Sequence, residues 1–236
     1  MKEKAVILVE FTGKEKTSGK IFDTTNEKIA KENGIYKENA LFQPVPVIVG
    51  NKDVLQGMDE ALLEMKVGEE KIVLLKPEKA FGERKKELIT VIPVKEFTKR
   101  KINPFPGLIV DLNNTYGKVQ TVSSGRVRVD MNSELAGKEV EYTIKITKEI
   151  TNTEEKAQIL TNKFFPLKDL KTKVILTKDT LKVEFPKEIA KHIAPIVPQY
   201  TKAITQAIPE IKKVEVAEPK KEKAKKEEKE NITTTK

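Results

Sequence analysis

A helical periodicity between two extended segments constrains the fold more than any other feature of this chain. Its apolar positions are Val54, Leu55, Met58, Ala61, Leu62 and Met65. Their spacing predicts one amphipathic helix, with Asp53 as its N-cap and Gly68 as its stop. Prolines in residues 44–50 favour extended backbone before the helix, and the alternation around Ile72 and Leu74 predicts a strand after it. A helix of this kind buries its apolar face against a sheet, which indicates an α+β arrangement.

The residue types exclude several kinds of catalytic centre. The chain of 236 residues contains no cysteine and one histidine. Disulfides, thiol nucleophiles and thiolate metal sites are therefore excluded, and a catalytic triad or a histidine-rich metal site lacks the imidazoles it needs. His192 lies among apolar residues with helical character, and we interpret it as a structural or surface residue. We expect neither a metal nor a cofactor.

The net charge of +9 raises the question of nucleic-acid binding. The charge is spread along the chain, and residues 212–236 hold nine lysines together with six glutamates. A mixed-sign segment with few apolar residues is typical of a disordered tail, which we place at residues 217–236. This pattern argues against nucleic acid as a partner. Because the chain has no secretory signal and no apolar run of about 18 residues, we expect a cytoplasmic protein without membrane contact.

Four short motifs carry a family resemblance. They are Val9-Glu10-Phe11-Thr12-Gly13, Gly19-Lys20-Ile21-Phe22-Asp23, Val54-Leu55-Gln56-Gly57-Met58 and Lys79-Ala80-Phe81-Gly82. In this order and spacing they resemble the FKBP family of peptidyl-prolyl cis-trans isomerases. The resemblance implies an enzyme that needs no nucleophile, metal or cofactor. It also implies that the partners are unfolded or nascent polypeptides that contain proline.

The same resemblance implies a pocket for the proline ring. The expected catalytic residues are Phe11, Asp23, Leu55, Phe81 and Tyr142, and the expected substrate-binding residues are Phe22, Val45, Val54, Met58 and Leu135. The rings at positions 11, 81 and 142 would form aromatic walls, and Met58 would form the floor. The backbone N–H of Leu55 would hold a substrate carbonyl. The Asp23 carboxylate would orient pocket groups or interact with the twisted carbonyl, and the alternative is a solvated carboxylate at a strand end.

Several positions depart from the family pattern. The family often has tyrosine where Phe11 and Phe81 stand, tryptophan in place of Met58 and an aromatic residue in place of Val45. We expect these changes to alter activity and substrate preference without removing the pocket. Gly57 costs about 1 kcal/mol relative to alanine inside a helix, so its presence predicts that another group approaches closely there.

A long interruption separates Phe81 from the closing segment that contains Tyr142. Strand-like segments between glycine and asparagine turns occupy residues 84–129, including residues 94–97, and predict a small all-β subdomain. This arrangement resembles SlyD-type FKBPs, which carry an inserted chaperone domain. The predicted isomerase domain therefore comprises residues 1–83 plus 130–150, an FKBP-like antiparallel sheet wrapped on one helix.

Residues 151–216 lie beyond this resemblance and predict a separate α+β domain. A helix begins at Thr153 and is ended by Pro166, a hairpin turns at residues 178–180, and residues 194–208 have helical periodicity. The segment is similar to the extra C-terminal domain of long archaeal FKBPs. Because so short a segment builds only a small core, packing on a second copy as a homodimer stays open.

Two functions remain open at the level of sequence. In the first, the pocket is a working isomerase and the insert captures unfolded chains beside it. In the second, the chain is mainly a holdase chaperone and the isomerase site is vestigial. The connection of residues 24–44, with a predicted helix at residues 27–32, is either functional or a surface insertion.

Overall fold

The predicted helix and its flanking strands are present in the computed structural model, which describes residues 1–112, 115–166, 173–185 and 193–217. The chain divides into two units, Met1–Ile150 and a second that begins at Thr151. His192 and residues 218–236 of the predicted tail lie outside the described residues. Within the described residues, no helix has both the length and the apolar character needed to cross a membrane.

The first unit contains nine strands and three α-helices in its described part. They are β1 (Val6–Glu15), β2 (Ile21–Thr24), α1 (Glu27–Glu32), β3 (Val45–Ile48), α2 (Gln56–Glu64), β4 (Glu70–Leu75), β5 (Ile89–Pro93), α3 (Val94–Lys99), β6 (Ile109–Asp111), β7 (Tyr116–Ser123), β8 (Arg126–Asp130) and β9 (Val140–Ile150). The main sheet has the order β2-β1-β9-β4, with β3 also paired to β1, and all of these pairs are antiparallel.

Helix α2 packs its apolar face on this sheet, as its periodicity predicts. Met58, Leu62 and the following Met65 are almost fully buried. They share one core cluster with Val49 in the turn after β3 and with the inward side chains of the strands, which are Ile7, Val9, Val47, Leu75, Val140, Tyr142, Ile144 and Ile146. The predicted α+β class is confirmed. The core is almost entirely aliphatic, and Tyr142 is the one aromatic residue among its fully buried members.

The predicted start of α2 is wrong by two residues. The helix begins at Gln56 with Leu55 at the N-cap position, and no side chain caps it. Asp53 instead accepts hydrogen bonds from the backbone N–H of Ile48 at 3.0 Å and from the side-chain amide of Asn51 at 2.8 Å. Its carboxylate is therefore used to close the turn that follows β3.

The inserted segment forms a second antiparallel sheet with the order β5-β8-β7-β6. Its small core contains Phe97, Val110, Val119, Val127 and Val129. Residues 94–97 were predicted to be extended, but they begin α3. The helix places Phe97, only 3% exposed, into this core, so packing outweighs the strand-like local sequence.

The described part of the second unit contains α4 (Thr153–Phe164), β10 (Lys173–Thr177), β11 (Thr180–Glu184), α5 (Val197–Ala207) and β12 (Lys213–Ala217). Strand β11 pairs antiparallel with β10 and parallel with β12. The predicted first helix, hairpin and last strand are confirmed, and the second helix begins three residues later than its pattern suggested. Buried Tyr200 packs against Phe165 and shares a 2.7 Å hydrogen bond with Thr161.

A polar network ties together the two segments that connect the insert to the main sheet. Asp130 accepts hydrogen bonds from Gln120 at 2.6 Å, from the backbone and side chain of Asn132 at 2.8 Å each, and from the Arg84 guanidinium. The side-chain amide of Asn132 pairs with both the N–H and the C=O of Lys85 at 2.9 Å. Burial alone would raise the pKa of Asp130, but the hydrogen bonds from Asn132 and Arg84 outweigh it and hold this pKa below its usual value.

We expect Asp130→Asn to lower the free energy of unfolding by roughly 2 kcal/mol at neutral pH, because hydrogen bonds to a charged group are lost. Since the folded-state pKa is lowered, the stabilisation is present above the unfolded pKa and disappears as the pH falls through the folded pKa. Urea denaturation between pH 3 and pH 7 measures both effects. Glu134→Gln, which removes an exposed ion pair with Lys118, is the control and should have little effect. Equal stability of Asp130→Asn and the wild type at pH 7 would contradict this account.

Candidate functional site

Four aromatic rings form a continuous row on the inner side of the main sheet. Phe11 contacts Tyr142 edge to face with a centroid separation of 5.9 Å, Tyr142 contacts Phe22 at 5.7 Å, and Phe22 contacts Phe81 at 5.6 Å. Edge-to-face geometry at these distances is favourable for aromatic pairs. The structure therefore brings together four of the ring-bearing residues predicted from the sequence.

An irregularity in the pairing of β1 with β2 places Phe22 in this row. Gly13 pairs with Asp23, but Lys14 pairs with Ile21, so Phe22 is an extra residue opposite the junction. A β-bulge of this kind redirects a side chain, and bulges are common beside active sites. Gly13 also pairs with Tyr142 on the other side of β1. Asp23, Gly13 and Tyr142 thus form one row across three strands.

Gly13 leaves the space that the two central rings occupy. A Cβ atom at this position would lie 2.7 Å from Cε1 and 2.8 Å from Cζ of Tyr142, and 3.0 Å from Cζ of Phe22. No larger residue fits without displacing these rings. Gly13 is not among the site residues predicted from the sequence, although a glycine inside an alternating strand is a signal of close approach.

The start of α2 supplies the apolar base of the site. Met58 is 2% exposed, and the half-buried side chains of Val54 and Leu55 pack against the same core cluster as the rings. The side chain of Leu75 packs directly against Gly57, where a Cβ would lie only 2.4 Å from its Cδ2 atom. The predicted close approach at Gly57 is therefore confirmed. No side chain caps the helix at Leu55, so its N-terminal end has no side-chain acceptor for the first N–H groups.

Phe81 and Leu135 close the site from two loops. Both are half-buried and pack against the core cluster. The loops are tied together by a 2.8 Å hydrogen bond from the N–H of Gly137 to the C=O of Gly82. Val45 behaves differently: it lies on β3 opposite Val9 and is absent from the residues packed on this cluster. The structure thus gathers eight of the ten predicted residues on one inner face, while Asp23 is exposed at its rim and Val45 lies beside it.

Asp23 is the charged residue at the rim. The residue is exposed as a whole, but partial burial of its carboxyl group raises its pKa, and a hydrogen bond from the backbone N–H of Thr24 acts in the opposite direction. Tyr142 is 2% exposed. Burial and the nearby Asp23 carboxylate raise the pKa of its phenol far above the usual value, so the hydroxyl stays protonated.

Thr25, which directly follows β2, forms hydrogen bonds with the backbone of Phe11. This contact was not predicted from the sequence. The backbone N–H of Phe11 donates to the Thr25 hydroxyl at 3.0 Å, and the N–H of Thr25 donates to the C=O of Phe11 at 3.0 Å. Local pattern gives no signal for this pairing, because the two residues meet only when β2 has turned back on β1.

A cavity of about 240 Å³ lies on the outer side of the sheet and shares Phe11 with the aromatic row. The rest of its lining is Glu10, Thr12, Thr25, Asn26, Ile29, Glu70, Thr143 and Lys145. Most of these side chains are polar or charged, whereas a proline ring needs an apolar surface. The aromatic row on the inner side is therefore the better candidate site.

Comparisons with known proteins agree with this geometry. Residues 1–98 match the family described as FKBP-type peptidyl-prolyl cis-trans isomerase, and residues 90–135 match the family described as FKBP26, IF domain. A short-type peptidyl-prolyl cis-trans isomerase of Methanocaldococcus jannaschii is 41% identical over 128 residues, which cover 54% of this chain and 82% of that protein.

Two bacterial relatives extend the match. The FKBP-type 16 kDa peptidyl-prolyl cis-trans isomerase of Escherichia coli is 28% identical over 60% of this chain and 89% of its own length. The FKBP-type peptidyl-prolyl cis-trans isomerase SlyD of Helicobacter pylori is 24% identical over 61% of this chain and 71% of its own length. Together with the inner-face site, these relationships show that the chain belongs to the FKBP-type peptidyl-prolyl cis-trans isomerase family.

Proposed function

We propose that the inner-face pocket catalyses cis-trans isomerisation of Xaa-Pro bonds in polypeptides and that the inserted sheet holds unfolded segments beside it. The observation that carries the first part is the row of four rings next to the buried Met58 and the uncapped start of α2. In this proposal the chain has three domains: an isomerase domain of residues 1–83 plus 130–150, an inserted domain of residues 84–129 and a C-terminal domain of residues 151–216.

The reaction requires no bond to break. Resonance gives the peptide C–N bond a rotation barrier of roughly 18–20 kcal/mol, and uncatalysed prolyl isomerisation takes tens to hundreds of seconds. Water hydrogen bonds favour the polar, planar amide, so an apolar pocket that removes them favours the twisted form. Each factor of ten in rate needs about 1.36 kcal/mol, which a few contacts specific to the twisted form supply.

The pocket residues have distinct proposed roles. Phe11, Phe81 and Tyr142 enclose the proline ring, with Phe22 supporting them and Met58 beneath. The N–H of Leu55 donates to a substrate carbonyl, as suits the uncapped end of a helix. Val54 and Leu135 complete the apolar lining. Asp23 at the rim orients polar groups, and Val45 contacts the substrate beyond the ring.

Exposed apolar residues on the insert support the chaperone part of the proposal. Val91 is 57% exposed, Phe105 55%, Ile109 66% and Tyr116 71%. Side chains of this kind bind unfolded segments transiently, and tethering such a site to the pocket raises the local substrate concentration. The same exposure favours a second candidate function, a holdase that binds unfolded clients with a weak isomerase site. We further propose that the protein acts in the cytoplasm, consistent with a chain that lacks cysteine.

The isomerase proposal predicts that the wild type accelerates isomerisation of a short Xaa-Pro peptide and that Phe81→Ala lowers kcat/KM by at least tenfold. Phe81 is half-buried at the pocket edge, so its loss removes a wall with little effect on the core. A coupled peptide assay measures this, with Phe105→Ala in the insert as the aromatic control that should keep full peptide activity. A wild type without acceleration would refute the isomerase proposal and leave the holdase.

The proposal that the insert holds unfolded segments predicts that the double variant Ile109→Ser, Tyr116→Ser affects the peptide and the protein substrate differently. Peptide kcat/KM should stay unchanged, because these residues lie outside the pocket, while catalysed refolding of a proline-limited protein should slow several-fold. The two rates are measured in parallel on the same preparations. Equal loss on the peptide and the protein would contradict this division of labour.

Gly13→Ala tests whether the packed rings are the functional surface. The added methyl group overlaps Tyr142 and Phe22, so we expect a loss of roughly 1–3 kcal/mol in the free energy of unfolding. Peptide kcat/KM should fall at a temperature where the variant is still folded. Glu10→Ala, on the outer face of the same strand, is the matched control. Unchanged activity of a folded Gly13→Ala protein would show that the ring positions do not matter for turnover.

A further inference from the structure

The positive charge, which we expected to be spread along the chain, is concentrated in the inserted segment. Residues 84–129 contain ten lysines and arginines and three acidic residues, which gives a net charge of +7, while the whole chain carries +9. Two of these cations, Arg84 and Lys118, pair with Asp130 and Glu134 just beyond the insert. When the segment is extended to residue 134 to include both acids, its net charge is still +5.

One face of the inserted sheet is open. Successive residues of a strand point to opposite faces of its sheet. Val127 and Val129 of β8 point into the small core, so Arg126 and Arg128 point away from it, and both arginines are exposed. Neither arginine forms an ion pair with any described residue. Their charges are therefore available to a partner on this face.

Apolar side chains lie directly beside the cations on the same face. Paired residues on neighbouring strands point to the same side, with Cβ atoms about 4.5–5.5 Å apart. Three such pairs combine one apolar and one cationic side chain, and they are Val91 with Arg128, Pro93 with Arg126, and Ile109 with Lys118. Lys118 pairs in turn with residue 130, which lies on the same face of β8 as the two arginines. Val91 and Ile109 are more than half exposed. We call these six residues the basic-apolar face.

The chemistry of this face fits a polypeptide segment that carries carboxylates among apolar residues. A guanidinium group binds a carboxylate through two parallel N–H···O hydrogen bonds, and the apolar neighbour contacts the side chains on either side of that carboxylate. Apolar contacts also displace water from the ion pair, which strengthens it. A segment rich in lysine would instead meet a surface of the same sign, and repulsion would weaken its binding.

The residues on this side of the sheet favour a polypeptide over a nucleic acid. Single-stranded nucleic acids bind by stacking their bases on aromatic side chains. Within the described residues, Tyr116 is the one aromatic residue that the strand registers place on this side, and it lies opposite Asp111 on β6. A carboxylate at this place repels phosphate groups, whereas a polypeptide with mixed side chains tolerates it.

We propose that the basic-apolar face selects acidic, apolar segments of unfolded polypeptides, with Arg126 and Arg128 binding their carboxylates. The inference rests on the proposed holding of unfolded segments by the insert, and it names the class of segment that is held. Charge and apolar contact act together on such a segment. It therefore binds more tightly than a neutral or basic segment with the same apolar residues.

The test measures binding of two labelled peptides to the full chain by fluorescence anisotropy. The peptides share the same length and apolar residues and lack proline, and one carries glutamates where the other carries lysines. At low salt we expect the glutamate peptide to bind about tenfold more tightly, which corresponds to two surface ion pairs of the usual strength. At about 1 M salt, where the screening length falls to about 3 Å, the two affinities should converge.

Two double variants locate the binding. Arg126→Gln with Arg128→Gln should lower the affinity for the glutamate peptide about tenfold and leave the affinity for the lysine peptide no weaker. The matched control is Lys95→Gln with Arg100→Gln, because these exposed residues lie in and directly after α3, which packs on the core side of the sheet. The control removes the same charge and should keep most of the selectivity. Both double variants should keep the Tm and the peptide kcat/KM of the wild type, since no altered side chain lies in a core or in the pocket.

The outcomes separate this inference from the proposed function. Equal affinity of the wild type for both peptides at low salt would overturn the selectivity and leave the insert as a holder of unfolded segments. Equal losses in the two double variants would overturn the assignment to Arg126 and Arg128. An oligouridylate that binds more tightly than the glutamate peptide would assign the face to nucleic acid and overturn the polypeptide partner. Failure of both peptides to bind would refute this inference together with the holding of unfolded segments, while the isomerase assay would be unaffected.

Discussion

The pairing of β1 with β9 is the interaction on which the first unit depends. It joins residues near the start of the chain to residues about 130 positions later, and it runs over the full length of β1. The entropic cost of closing a loop rises only slowly with the length of the loop, so a long insertion between the two strands is tolerated. The same ladder sets Phe11 and Tyr142 side by side. Sheet closure and assembly of the aromatic row are thus one event.

The distribution of ring-bearing residues follows from this arrangement. Apart from Tyr142, the main core is filled by valine, isoleucine, leucine and methionine, while Phe11, Phe22 and Phe81 join Tyr142 in the row of rings at its edge. Aliphatic side chains fill space between a helix and a sheet without leaving polar atoms behind. Rings offer flat, rigid surfaces that match a proline ring at small entropic cost. The chain therefore uses its few aromatic residues where shape matters more than volume.

The elements that depend on local periodicity and on short motifs could be predicted from the sequence. The predictions failed where contacts with another part of the fold determine the local structure. Helix α2, the strands beside it and the hairpin of the second unit follow from local patterns. Asp53 has the chemistry of an N-cap, but the turn after β3 uses its oxygens first. Residues 94–97 look extended, but burial of Phe97 makes them helical. The clearance at Gly13 depends on three strands, and no single segment encodes it.

The side-chain amide of Asn132 forms hydrogen bonds with both backbone groups of Lys85 and so links the two segments that connect the insert to the main sheet. With the bond from Gly137 to Gly82 on the sheet side and the bond from Met131 to Leu88 on the insert side, it fixes the gap at which the chain leaves and re-enters the main sheet. The two points at which an insert joins the sheet are therefore held at a fixed separation. A compact module whose ends match that separation can therefore replace the insert without disturbing the rings, so the insert and the main sheet can change independently during evolution.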